Sequence, residues 1–417
     1  MDLTPLRHRD YRLLFAAQAV SLLGTMITYV ALPYQMYRLT GSSLAVGLLG
    51  LAELVPLLAT AFVGGALADA VDRRRMALAT DLGLAAGSTA LVLIAASGAA
   101  SAALLYIVAA WMSAVGGLQR PSLEALVPRI VEKHELPAAA ALTMFCGSIG
   151  MIAGPAVGGA IIQAVGLPGT YLADVASYAV SLLCLSSIRA VPAPKGAERP
   201  SLRAVREGFR YARSRQELIG TYVVDFVAMV FGMPLALFPA LSDRLGGPTV
   251  LVDGPSVLGL LCAAPACGAL LASFGARWAR HFHRHGLAVM VAAAVWGLAI
   301  IGFGLCDTLW PALAYLVMAG AADAISGIFR MTMWRQTIPD ALRGRLASIE
   351  MVSYESGPLL GHLEAGAVAA AFSVRASVIA GGVLCVIGVL ACGLCLPRFV
   401  RYDAREFSQT QPVSRTS

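Results

Sequence analysis

Charge is what this sequence has least of: Asp, Glu, Lys and Arg together make up 13% of its 417 residues, about half the roughly 25% of a soluble domain. With 58% hydrophobic residues and a mean hydropathy of +0.74, the chain has too little polar surface to face water, which excludes a soluble enzyme. No nucleotide-cradling G-x-x-x-x-G-K-[S/T] loop is present, and no span or loop holds a nucleophile with its base. Direct ATP drive and enzymatic catalysis therefore lack their signatures. A sensor would need a soluble output domain, and none follows the apolar runs.

The chain is also poor in sites for metals and disulfides. Its eight cysteines, Cys146, Cys184, Cys262, Cys267, Cys306, Cys385, Cys392 and Cys395, fall inside or at the ends of apolar runs, where no oxidised extracellular scaffold could use them. Cys392 and Cys395 have a C-x-x-C spacing without a nearby His or further thiol, and read as small packing residues. His281, His283 and His285 alternate in a basic loop, the pattern of solvated charge rather than of a ligand set. No metal site and no cofactor are expected.

What is abundant is long apolar sequence. A bilayer core of about 30 Å needs roughly 20 apolar residues per crossing helix. The chain repeats such runs at 11–38, 43–69, 75–97, 101–124, 138–165, 169–189, 216–241, 252–276, 285–304, 308–331, 345–371 and 375–396. They are too long for the roughly 10-residue alternating strands of a barrel. The expected fold is all-α: twelve transmembrane helices in two six-helix bundles. Residues 1–190 would form the first bundle, 191–215 a linker, 216–400 the second bundle and 401–417 a polar tail.

Of the 31 basic residues, only Arg38, Arg244 and Arg375 fall on one side of these spans. Short cytoplasmic loops retain positive charge, so the other side, with both termini, is expected in the cytoplasm of a bacterial-type inner membrane. The net charge of +7 then reflects topology and attraction to anionic lipid headgroups, and no nucleic-acid partner is expected. Gly154-Pro155-x-x-Gly158 in span five recurs as Gly357-Pro358-x-x-Gly361 in span eleven, each after a loop with a proline, Pro128 or Pro339. Two parallel repeats account for that echo.

After span two the chain reads Gly64-Gly65-Ala66-Leu67-Ala68-Asp69-Ala70-Val71-Asp72-Arg73-Arg74-Arg75. This resembles the loop 2/3 signature of the major facilitator superfamily. The resemblance implies that Gly65, Asp69 and Arg73 latch the cytoplasmic side against the start of span eleven, where Asp340 would cap the helix. Ala70 and Asp72 depart from the common pattern, which has a basic residue and a glycine there, so the latch is wired differently. Span five, with Gly147, Gly150, Gly154, Pro155, Gly158 and Gly159, resembles the glycine-proline motif of the superfamily's antiporter branches and favours export over uptake.

Ionisable residues inside a membrane are costly and are functional candidates by default. Asp225 and Asp323 lie roughly 10 Å in from the ends of their spans at 1.5 Å per residue. Gln18 and Arg120 stand in the matching halves of spans one and four. In the superfamily, spans one, four, seven and ten line the cavity, and the resemblance places these four side chains around one polar vestibule, with Arg330 available to pair with an aspartate. The competing reading makes both aspartates structural. Glu53, Glu355, Glu364 and His362 are further candidates, Glu355 standing near mid-depth in span eleven.

Phe329-Arg330, Gln336-Thr337-x-Pro339-Asp340, Arg343-Gly344-Arg345 and Leu126-Val127-Pro128 resemble the enterobactin exporter branch of the superfamily, a likeness that runs along nearly the whole chain. It implies a monomeric, proton-coupled exporter of an amphipathic small molecule working by alternating access. Siderophore efflux and multidrug or macrolide efflux both stay open, with proton-driven uptake and a non-transporting sensor behind them.

Overall fold

The computed structural model describes residues 2–70, 72–189, 210–211, 213–246, 253–275, 279 and 281–405, with backbone only at 61–70, 121, 124–125 and 340–353. Among the described residues the chain is helical and contains no strand. It divides into two compact units: Met1–Pro200 with Ala236–Ala263, and Ser201–Leu235 with Ala264–Ser417. Residues 236–263, expected in the second bundle, thus group with the first unit.

The first unit holds α1 (Arg9–Thr40), α2 (Ser43–Ala70), α3 (Arg73–Ser97) and α4 (Ala102–Ile130). A helical run, Leu136–Ser186, follows and is broken at Gly166 (φ 72°), giving α5 (136–165) and α6 (167–186). A side chain rarely adopts that backbone, and Pro168 two places on reinforces the corner. Helix α1 ends at Gly41 in the left-handed conformation, with its N–H on the Tyr37 carbonyl. Leu14, Ala17, Ala77, Leu126, Leu185 and Ile188 bury one another where α1 and α3 begin and α4 and α6 end.

Asp72 explains one departure from the loop signature: it caps α3, its carboxylate accepting from the backbone N–H of Arg74 (2.9 Å) and Arg75 (3.2 Å). Replacing an N-cap carboxylate with alanine costs about 1 kcal/mol. Asp72→Ala should therefore lower the thermal midpoint of the detergent-purified protein by a few degrees, read by a thiol-dye or fluorescence melt.

Span seven does not run unbroken over 216–241. Helix α7 (Gln216–Gly232) stops at Met233-Pro234, and a 3-10 turn (Leu235–Leu237) leads into α8 (Phe238–Leu245). Proline lacks the N–H that would continue the ladder and bars the preceding residue from the helical region. Helix α9 (Gly254–Phe274) starts in the first unit and ends in the second. The second unit is completed by α10 (His285–Leu305), α11 (Leu309–Thr337), α12 (Asp340–Ala371), α13 (Val374–Cys395) and the short α14 (Pro397–Val400).

Ten of the described helical stretches are long and apolar enough to cross a membrane, and their outer surfaces are apolar. Leu394, Trp310 and Leu183 are largely exposed, an arrangement that lipid solvates and water would not. The tail expected from 401 begins as ordered structure. Phe399 is fully buried against Gly220 and Gly286, and Tyr402, 3% exposed, donates to Gln336 Oε1 (3.1 Å).

Candidate functional site

Of the proposed latch, Gly65 and Asp69 lie on the last turns of α2, where only backbone is described, and Arg73 opens α3. Asp340 is the first residue of α12, one place after Pro339, which occupies the capping position. Asp340 therefore sits inside the helix and not at its N-cap, since the chain turns helical immediately after the proline. Arg74, a topology charge by its sequence position, ties α3 to α6: its Nε donates to the Leu185 carbonyl at 3.0 Å and its Nη2 to that of Ser186. Both carbonyls belong to the last turn of a helix, where an arginine also complements the dipole.

The charged centre of the second unit lies between α7 and α11. Asp323 and Arg330 stand seven residues apart on α11, two turns on one face, and the guanidinium points back along the helix. Arg330 Nη1 meets Asp225 Oδ1, and Nη2 lies 3.6 Å from Asp323 Oδ1. Asp225 and Arg330 are each 12% exposed and Asp323 40%. One arginine therefore serves two carboxylates, tightly and loosely, for a formal charge of −1 when both are ionised. Arg330 Nε is buried without a hydrogen-bond partner, so the fork has an unused donor. Glu355 is half-buried on α12 in the same unit, whereas half-buried Gln18 and exposed Arg120 belong to the first. Of the six coupling candidates, three come together in one cluster.

The glycines of span five have two partners. Side chains built at Gly150, Gly154 and Gly158 would strike Leu22, Met26 and Ile27 of α1, so this stripe lets α5 lie against α1. Gly159 faces α9. A Cβ there would stand 2.4 Å from the Pro255 carbonyl oxygen and 3.1 Å from Gly259 Cα, and a Cβ on Gly259 would stand 2.4 Å from the Pro155 carbonyl oxygen and 3.2 Å from Gly159 Cα. Two Pro-x-x-x-Gly segments thus cross backbone on backbone within the first unit. One turn beyond Gly159, Gln163 Nε2 donates to Asp253 Oδ2 at 2.8 Å, and Ser256 donates to Gln163 Oε1.

Two carboxylates that sequence reasoning misses are Asp81 on α3 and Asp174 on α6, 1% and 0% exposed. Asp174 Oδ2 accepts from Thr28 and Ser88, each at 2.6 Å. Asp81 Oδ2 accepts from Ser181 at 2.5 Å and its Oδ1 from Gln119 Nε2. The sequence carries a signal for them, since Asp81…Ser88 and Asp174…Ser181 repeat one Asp-to-Ser spacing in two apolar runs. Among the described residues no group of three or more His, Cys, Asp or Glu is placed to hold a metal ion.

Comparison with known proteins places this architecture. A family model described as transmembrane secretion effector, of the major facilitator type, matches residues 1–414. The chain belongs to this family. Solved transporters share the fold of this secretion effector: a POT family transporter in complex with 5-aminolevulinic acid (TM-score 0.74, 12% identity, 94% of this chain and 97% of that one). A bacterial homolog to the human lysosomal transporter Spinster gives TM-score 0.74 at 14% identity over 99% and 100% of the two chains. Among curated sequences, the enterobactin exporter EntS of Shigella boydii serotype 18 is 27% identical over 409 residues, 97% of this chain and 95% of the relative. EntS of Escherichia coli strain SMS-3-5 is 27% identical over 414 residues, 98% and 96% of the two. This family member is therefore a multi-pass membrane transporter with an exporter's relatives, not an enzyme.

Proposed function

We propose that this secretion effector is a proton-coupled antiporter that exports an amphipathic, siderophore-like small molecule from the cytoplasm by alternating access. The observation that carries the reading is the Asp225–Arg330–Asp323 cluster, two carboxylates on one guanidinium inside an apolar bundle. Such a site has no structural need for its second aspartate. Asp225 and Arg330 balance one another, and the looser, more exposed Asp323 leaves a charge of −1 that a proton cancels. Asp323 is accordingly the proton carrier and Asp225 the fixed partner of the arginine. The names of the relatives, enterobactin exporters, support the substrate class. The bias of arginine toward the loops shared with the termini supports an inner-membrane protein with both ends in the cytoplasm. The protein acts as a monomer with Gln18, Arg120 and Glu355 as further vestibule groups, and with Gly65, Asp69, Arg73 and Asp340 at the latch.

The test is enterobactin secretion by cells with and without the protein, in the presence and absence of a protonophore, with a macrolide as second probe. Protonophore-sensitive secretion of enterobactin supports the reading, and loss of macrolide alone transfers it to drug efflux. Asp323→Asn should keep the protein in the membrane while flattening the pH dependence of export, because its amide cannot exchange a proton in this range. Unchanged rate and pH profile in that variant would remove Asp323 from the coupling.

A further inference from the structure

The two buried aspartates of the first unit form a reciprocal pair. Helix α3 offers Asp81 and Ser88, and α6 offers Asp174 and Ser181. The helices run antiparallel, so Asp81 takes the Ser181 hydroxyl while Asp174 takes that of Ser88. The rungs lie two turns apart, about 10 Å along the axes. Each carboxylate spends its remaining capacity on a different neighbour. Asp174 Oδ2 also accepts from Thr28 on α1 and Asp81 Oδ1 from Gln119 on α4. Ser177 turns its hydroxyl onto the Asp174 carbonyl at 2.8 Å, leaving 3.4 Å to Oδ1. Every one of these donors is neutral.

The two neighbours are not arbitrary. Gln119 precedes Arg120, and Thr28 shares α1 with Gln18, the two first-unit groups placed in the vestibule. Helix α1 reaches Asp174 because Gly24 has no side chain: a Cβ there would stand 2.5 Å from Asp174 Oδ1 and 2.0 Å from Ser177 Oγ. Fully buried Tyr178, one turn from Asp174 on α6, adds a hydroxyl bond to Thr25 of α1 at 3.0 Å. A plain helix pair would be served by apolar contacts. Acceptor-only side chains that each gather two donors from two helices fix rotation as well as distance.

We propose that Asp81 and Asp174 are positioning residues that set the rotation of α4 and α1, and with it the presentation of Arg120 and Gln18, from a polar ladder buried behind them. The proposal rests on the vestibule reading of those two side chains. The ladder acts through hydrogen-bond acceptance, so an asparagine, whose single amide oxygen still accepts, substitutes at Asp174, where one oxygen takes both hydroxyls, and only in part at Asp81, where each oxygen takes its own donor.

The experiment uses the full-length chain and enterobactin as the exported probe. Asp174→Asn should export at a near-parental rate, Asp81→Asn between the parent and its valine variant, and both with the parental pH profile. Asp81→Val and Asp174→Val, compared at equal membrane amounts, should raise the apparent KM by about tenfold, the worth of one or two buried hydrogen bonds left unmade. The transposed variant Ser88→Asp with Asp174→Ser should regain a parental KM that neither single change shows. An altered pH profile in the asparagine variants would overturn the proposal in favour of proton carriage by these groups. So would valine variants that lower only the amount of folded protein at unchanged KM. Unchanged KM in Gln18→Ala and Arg120→Ala would overturn the vestibule reading and the positioning role together, whereas failure of the transposed pair overturns the pairing alone.

Discussion

Removing the guanidinium of Arg330 should abolish coupled export. In Arg330→Leu the leucine fills part of the volume, but Asp225, 12% exposed, and Asp323 lose their shared cation. Removing one partner of a buried pair costs about 3–5 kcal/mol, because the remaining charge stays desolvated without compensation. That is a large part of a domain's usual margin of about 5–15 kcal/mol. We expect a lower melting temperature in detergent and no enterobactin secretion above that of empty cells. Arg330→Lys should fold and export poorly, since an ammonium cannot span the two carboxylates as a planar fork does. The decisive comparison is the double variant Arg330→Leu with Asp225→Asn, which removes the more deeply buried of the two stranded charges and leaves the more exposed Asp323. It should recover the thermal stability but not the export, separating the arginine's part in folding from its part in transport. Recovery of both would mean that the cluster serves only the fold.

That cluster is partly legible in the amino-acid sequence. Asp225 and Asp323 stand out because a carboxylate in an apolar run is expensive, and Arg330 because it lies two turns from Asp323. The sequence does not tell that one arginine meets both aspartates, since α7 and α11 are joined by contact and not by proximity in the chain. Asp81 and Asp174 carry the same signal of a carboxylate in an apolar run. The superfamily resemblance directs attention to spans one, four, seven and ten, and these two sit on spans three and six. Their hydroxyl partners are the part hardest to read, because serine and threonine are common in membrane helices and announce no role until a carboxylate is placed opposite.

The helices themselves are legible wherever an apolar run is bounded by glycine, serine or charge, as at Gly41, Gly98 and Ser101. They are illegible where proline stands inside such a run. Pro33, Pro56, Pro155 and Pro358 all lie within continuing helices, while Pro234 ends one. The neighbours that absorb a lost hydrogen bond decide between these outcomes, and they are not written locally. The grouping of 236–263 with the first unit has the same character. So does the docking of Tyr402, whose surroundings are polar in sequence but whose ring finds the end of α11.

The crossing of α5 and α9 should be the least forgiving place for a methyl group. Gly159→Ala puts a Cβ 2.4 Å from the Pro255 carbonyl oxygen, and Gly259→Ala does the same to that of Pro155. The obstructing atoms are backbone, so no rotamer change relieves the clash and the helices must separate. Overpacking of this kind costs about 1–3 kcal/mol even where side chains can adjust. By contrast, Gly147 has no atom within 4 Å of a built Cβ, and Gly147→Ala should be neutral or slightly stabilising in a helix. In the proposed cycle a glycine crossing can part and re-form at little cost, so prising it open should shift the balance of states as well as stability. We therefore expect Gly159→Ala and Gly259→Ala to lose at least about tenfold in export at equal membrane amounts, a change of about 1.4 kcal/mol or more in the relevant equilibrium. Gln163→Ala, which removes only the bonds to Asp253 and Ser256 one turn away, should lose less. Were Gly159→Ala as active and as heat-stable as Gly147→Ala, the close approach would carry no functional weight, and the span-five motif would reduce to its packing on α1.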